Sequence, residues 1–264
     1  MPQAEILQDF MQSEFSRLAE IVKQECRGGP TYFMSNRGNW GDALIRLGTK
    51  ILFRQIGLQY YEMQLHKGRV FQIFERYLPL VLKGSLIYGG GGAWCKLWDR
   101  SPRILDVIAS SYRKVIILPS TFELNSFLPN ATYFCRDNYE SKAAMPEAIF
   151  CHDMAFLIGP RPAREGKGDG SFFRIDKESA GKIPLPANNR DVSLLGTHFA
   201  DPLPLFDILD AYARIHTDRL HVAIAACLLG KELHFYPGAY FKNKAVYLSS
   251  MQGYFKNVHF HELN

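Results

Sequence analysis

Arg219 and His221 stand at the head of a run, Val222 to Leu229, that holds no charged side chain. A helix over about residues 219–229 is expected, buried on every side because it is apolar all round. Thr217 or Asp218 can accept from its first free N–H groups, and Gly230 suits the position just past its end. A helix start carries partial positive charge, and an arginine and a histidine beside it make an anion site. The competing reading is an arginine that only pairs with Asp218 or a core carboxylate.

Further chemistry-bearing residues close other apolar runs. Arg136 and Asp137 follow Tyr133-Phe-Cys, and His152 and Asp153 follow Ile149-Phe-Cys. Tyr32-Phe-Met leads into Ser35-Asn-Arg-Gly-Asn-Trp-Gly-Asp42, where Gly38 and Gly41 allow a sharp turn and Asp42 sits where a helix N-cap belongs. Asp42 as a cap and Asp42 as a general base are both open on this ground. Ser85-Leu-Ile-Tyr88 runs into four glycines, Gly89 to Gly92, and then Trp94. Glycine fills no volume and costs backbone entropy, so the run suggests backbone N–H groups meeting a ligand, with Trp94 as a stacking face for a sugar; a tight structural turn is the alternative. In an open α/β sheet such strand ends share one edge, where ligands bind.

The elements that must position these residues follow from the pattern of apolar positions. Ile6 to Val22 recur at helical steps, a helix stopped by Arg27-Gly-Gly-Pro30. A helix is expected from Ala43 to about Ile56, and helix or irregular chain over 70–82. Strands are expected at 32–34, 58–65, 85–88, 115–121, 133–137 and 149–156, with helices over 102–112 and after Tyr139. Residues 159–190, rich in Gly, Pro, Lys and Arg, read as a linker with a short strand at 172–175. Beyond it come strands at 191–195 and 232–236, helices over 205–213 and 242–251, and the 213–230 element between them. Strand–helix alternation on both sides of the linker predicts parallel α/β layering in two Rossmann-like halves, 1–158 and 191–264.

Composition narrows the class. The 264 residues are 47% hydrophobic and 22% charged, ordinary for a soluble globular protein, and the net charge of +5 comes without a dense basic run that would indicate nucleic acid. Five cysteines, an odd number with no C-x-x-C pair, indicate neither a disulfide frame nor a zinc site, and no ligand cluster suggests a metal. Free thiols imply a reducing compartment. No secretory h-region and no apolar run of the ~20 residues that a membrane span requires is visible, so a cytoplasmic protein is expected.

Asn39-Trp-Gly-Asp42-Ala-Leu-Ile45, Tyr88-Gly-Gly-Gly-Gly92, Leu118-Pro-Ser-Thr121, Cys135-Arg-Asp137, His152-Asp-Met-Ala155 and Thr217-Asp-Arg-Leu-His221 occur in that order. Together they make a pattern that resembles the polysaccharide pyruvyl transferase family over about residues 30–250. The resemblance implies two Rossmann-like halves arranged as in GT-B glycosyltransferases, with the active site in the cleft. It also implies transfer of a pyruvyl group from phosphoenolpyruvate to two hydroxyls of a sugar, giving a cyclic ketal and phosphate, with no further cofactor. On this basis Arg219 and Arg136 take the donor's anionic groups together with Gly90, Gly91 and Leu220. His221 serves donor binding or proton transfer, Asp42 and His152 orient or deprotonate acceptor hydroxyls, and Asn39 and Trp94 contact the sugar. The donor carries roughly three negative charges near neutral pH, which planar arginines and helix N–H groups suit. A lipid-linked oligosaccharide acceptor would place the enzyme at the inner membrane face, with at most peripheral association. The rival enzyme is a nucleotide-sugar-dependent GT-B glycosyltransferase; a carbohydrate-binding protein would leave Arg219 and His221 without a purpose. Replacing Arg219 by alanine is then expected to abolish phosphate release with the fold intact.

Overall fold

The computed structural model describes residues 2–63, 83–125 and 127–263, with the backbone path alone at positions 2–10 and 100. Helix α1 (Pro2–Glu25) buries Met11, Phe15, Leu18 and Val22, four positions at helical spacing, and Gly28 turns the chain with φ +79°. The chain then alternates strand and helix: β1 (Thr31–Met34), α2 (Trp40–Gln55), β2 (Tyr61–Glu62), β3 (Ser85–Tyr88), β4 (Gly91–Trp94), α3 (Arg100–Ile108), β5 (Lys114–Phe122), β6 (Ala131–Cys135), α4 (Glu140–Ala144) and β7 (Ile149–Phe150). These strands form one parallel sheet in the order β2-β1-β3-β5-β6-β7, and β4 pairs with the far end of β5, Gly91 opposite Ser120 and Trp94 opposite Phe122. Every residue from Val115 to Phe122 is buried, as expected for a strand covered on both faces.

A second parallel sheet has the order β11-β10-β9-β8, from β8 (Asp169–Ser171), β9 (Arg214–Thr217), β10 (Glu232–Phe235) and β11 (Val258–Phe260). Helices α5 (Leu203–Asp210), α6 (Leu220–Leu228) and α7 (Lys242–Ser250) accompany it. Helix α6 is buried all round except at His221, and its Ala223, Ala225 and Ala226 let neighbouring backbones come close. It packs against α2 and a 3₁₀ turn at Met154–Ile158. One apolar core therefore runs through both sheets, from Phe33, Ile87 and Ile116 to Ile215, Leu233 and Phe235.

Parallel α/β layering in both halves matches the sequence reading. Several elements differ. Residues 191–195 are not a strand: Val192–Leu195 is a 3₁₀ turn, opened by the Leu194 N–H donating to the Asp191 carbonyl oxygen (3.3 Å). Strand β8 lies inside the stretch read as linker, three residues ahead of the expected 172–175, and belongs to the second sheet. Only Ile149–Phe150 of the expected 149–156 strand pairs, because Asp153 accepts from the Ala155 N–H (2.9 Å) and starts the 3₁₀ turn. The expected segment over 70–82 lies outside the described residues.

Candidate active site

Four elements of the two sheets deliver polar side chains to one point. Arg136 follows β6 and is 1% exposed. Its Nε donates to Thr121 Oγ1 (2.8 Å) near the end of β5, and its Nη1 donates to Asp153 Oδ2 (2.7 Å), just past β7. His221, the second residue of α6, brings Nε2 to 3.6 Å from the same Asp153 oxygen. Burial pushes the Asp153 carboxyl up, but His221 and Arg136 outweigh it and hold the group well below the usual carboxylate range. Asp153 is a fixed anion that orients a guanidinium and an imidazole together.

The other side of the imidazole meets the loop ahead of α2. A Cβ on Gly41 would stand 2.5 Å from His221 Nδ1, so only glycine leaves the ring its place. Asn39 caps α2, its Oδ1 accepting from Gly41 N (2.8 Å). Asp42 sits at the third helical position, not at the N-cap, and its Oδ2 accepts from Asn39 N (3.0 Å), completing a capping box. Its Oδ1 accepts from Asn36 Nδ2 (2.7 Å). Both Asp42 oxygens are thus engaged in shaping the loop, and the Asn39 carbonyl oxygen is spent on the helix rather than on a sugar.

The glycine run divides in two. A Cβ on Gly89 would lie 2.9 Å from Asn36 N, one on Gly90 2.7 Å from Pro119 O, and one on Gly91 3.0 Å from Ile45 Cδ1. Gly90 and Gly91 also have φ of +73° and +100°. Close packing and backbone geometry call for glycine at these three, in line with the structural turn that the sequence left open as the alternative. Gly92 differs: a Cβ there would clear Arg136 Nη2 by 3.6 Å and the Tyr240 hydroxyl by 3.7 Å, so this glycine faces the guanidinium.

Four expected site residues stand elsewhere. Trp94 is fully buried, edge-on to Tyr88 and tilted against Phe122, so its indole has no face open to a sugar. His152 is fully buried within a ring of Phe15, Phe150, Phe156 and Tyr254, with Nδ1 2.8 Å from Ser250 Oγ. Burial pushes its pKa down to about 4 in spite of Glu14, so it is a neutral core histidine and cannot reach an acceptor. Leu220 is 4% exposed in the core. Arg219 points its Nη2 between Asp191 (2.5 Å) and Asp176 (2.9 Å), and those two carboxylates already neutralise the charge that was to capture a donor. Thr217 Oγ1 accepts from the Arg219 N–H (2.9 Å), as expected at this helix start. Asp218 instead accepts from Arg174 N (2.8 Å), and burial raises its pKa to about 6.

Asp153 and Thr121 are the residues of this cluster to which sequence reasoning gives no site role; it reads Gly41 and Gly92 only as parts of glycine loops facing a ligand. His152-Asp153 was legible as a polar pair, yet neighbouring residues of an extended chain point to opposite sides. Which of the two faces the site is a matter of register. A cavity of about 280 Å³ lies away from this cluster, between α1, α2 and the 156–160 segment, and is lined mostly by apolar side chains such as Phe15, Leu52 and Phe156. Among the described residues no group of three or more His, Cys, Asp or Glu is spaced to hold a metal ion, and no helix is long and apolar enough to cross a membrane.

Comparison with known proteins adds two findings. The family described as polysaccharide pyruvyl transferase matches residues 39–236, a span that contains Gly41, Gly92, Thr121, Arg136, Asp153 and His221. A functionally uncharacterized protein from Klebsiella pneumoniae subsp. pneumoniae NTUH-K2044, known from its crystal structure, is similar with a TM-score of 0.76 and 26% sequence identity, over 95% of this chain and 99% of that one. No curated protein matches the chain.

Proposed function

The chain belongs to the polysaccharide pyruvyl transferase family, and from that premise we propose that it moves a pyruvyl group from phosphoenolpyruvate to two hydroxyls of a sugar in a polysaccharide or its lipid-linked precursor. The observation that carries this reading is the buried Arg136–Asp153–His221 cluster opposite Gly92. Arg136 spends Nε and Nη1 on Thr121 and Asp153, and its Nη2 edge, toward Gly92, is the group for an anionic oxygen of the donor. His221 is the acid. Asp153, 3.6 Å from its Nε2, orients the ring, and the imidazole delivers a proton to the donor's methylene carbon. The methylene becomes a methyl group and the adjacent carbon takes on cationic character. One sugar hydroxyl adds there and loses its proton, the bond from that carbon to the phosphate oxygen breaks, and the second hydroxyl closes the ketal. Of the two hydroxyl protons, one restores the acid and the other leaves with phosphate.

Arg219 is assigned a structural role in this scheme, bracing the start of α6 against Asp191 and Asp176 so that His221 is held in line. Asp42 and Asn39 shape the loop that the imidazole rests on. The two sheets supply opposite walls, as in a GT-B arrangement, and a lipid-linked acceptor would be met at a membrane face from the aqueous side. The family does not favour a nucleotide sugar as donor.

The test is phosphate release from phosphoenolpyruvate in the presence of a pyruvate-free acceptor polysaccharide, with acid-labile pyruvate measured on the polymer. The expected result is stoichiometric phosphate and bound pyruvate, and a drop of at least about a hundredfold in His221→Gln, the usual scale for losing a general acid. Pyruvate that never appears on any acceptor would overturn the reading.

A further inference from the structure

Tyr240 lies in the connection from β10 to α7, on the side of the second sheet. Its hydroxyl oxygen is sealed from solvent and forms no well-directed hydrogen bond to a described residue. Its polar neighbour is the Cys95 thiol, a weak partner whose own hydrogen is aimed at Gly92 O (3.4 Å). A buried hydroxyl without a good partner costs free energy, and an anionic ligand oxygen would offset that cost.

The position suits one. The same point above Gly92 lies 3.6 Å from Arg136 Nη2 and 3.7 Å from the Tyr240 hydroxyl, so guanidinium and phenol flank one glycine from opposite sheets. The ring itself is braced. Lys242 Nζ stands 5.1 Å from its centroid, Phe241 meets it edge-on, and Lys242 is pinned by Glu178, which also binds Arg174 and the Trp98 indole. Resting on the phosphoenolpyruvate reading above, we propose that Tyr240 is a donor-binding residue whose O–H donates to the anionic oxygen that Arg136 holds over Gly92. Burial, with Glu178 nearby, pushes the phenol pKa up, so the hydroxyl keeps its proton and stays a donor. Ligand binding then ties the first sheet to the second through one anion.

The experiment is calorimetric titration of phosphoenolpyruvate into the full chain, with steady-state kinetics beside it. Wild type binds; Arg136→Lys binds weakly. Tyr240→Phe keeps its melting temperature, because only a hydroxyl with a weak thiol partner is removed, and loses at least about tenfold in affinity, with KM raised and kcat little changed, as expected for a hydrogen bond to a charged group. Gly92→Ala folds, since its methyl clears both neighbours, and binds no donor because the methyl fills the ligand's place. Tyr240→Phe binding within twofold of wild type while Arg136→Lys is weakened overturns this inference and leaves the phosphoenolpyruvate reading standing. A wild-type protein that does not bind phosphoenolpyruvate overturns that reading and this inference with it.

Discussion

Arg136 and Arg219 are both buried, 1% and 4% exposed, both follow a strand, and both meet aspartate. Arg136 shares one carboxylate with His221 and turns its remaining edge toward Gly92, whereas Arg219 is taken by two carboxylates. The local charge balance separates them: one guanidinium keeps capacity for a further anion, and the other has its charge cancelled. Burial of an arginine at an element end therefore says little by itself; the number of carboxylates within reach decides whether it binds a ligand or holds the fold.

The sharpest way to break this comparison is to remove each cation in turn. Arg219→Met strands the buried Asp191, while Asp176 keeps Arg174, and should cost about 3–5 kcal/mol of stability, the scale for breaking a buried pair, seen as a lowered urea midpoint. The folded fraction should still bind phosphoenolpyruvate with wild-type affinity, the reverse of what the sequence alone leads one to expect of this residue. Arg136→Lys keeps a charge beside Asp153, so its midpoint should move little while donor affinity falls at least about tenfold. Equal loss of donor binding in both variants would erase the distinction.

A second contrast concerns histidines. His221 Nε2 stands 3.6 Å from the Asp153 carboxylate at the candidate site, while His152 is held neutral in the core with a pKa pushed down to about 4, chiefly by burial. The unfolded chain takes up a proton near pH 6.5 that folded His152 refuses, so this residue contributes no penalty above that pH and destabilises the fold as pH falls toward 4. Between pH 7 and 4.5 the loss should be about 2.5 kcal/mol from this group alone. Urea midpoints of wild type and His152→Gln, measured at both pH values, check it: the variant should show a shallower acid decline. An equal decline would mean that the ring is protonated in the fold.

The smallest effect concerns the loop under His221. Asn39→Ala removes the acceptor of the Gly41 N–H and should cost about 1 kcal/mol, a typical N-cap loss. Asn39→Asp, which keeps an acceptor, should recover most of it in the same thermal melts. A loss of activity in Asn39→Ala far beyond its loss of stability would show that the side chain touches the acceptor as well.

Much of this protein could be read from local signals. The burial and limits of α6 follow from the apolar run Val222 to Leu229, set between Thr217 and Gly230, and Gly230 adopts φ +67° as its place requires. The long β5 follows from Val115-Ile-Ile-Leu118, and α1 from apolar residues at helical steps. Short or irregular pairing was not legible. Strand β8 has a glycine at its centre and no apolar run, and β11 is only three residues long, so each exists because a neighbouring edge accepts it.

The order of residue types along the chain was enough to settle parallel α/β layering and the family, because glycine loops, buried runs and polar strand ends are local facts. The pairing of charges was settled by tertiary structure alone. Asp191 and Asp176 reach Arg219 from 28 and 43 positions away in the chain, Asp153 meets His221 across 68, and Trp94 turns inward because β4 is covered on that face. Electrostatic energy depends on distance in space and on exclusion of water, and neither quantity is written in the spacing of residues.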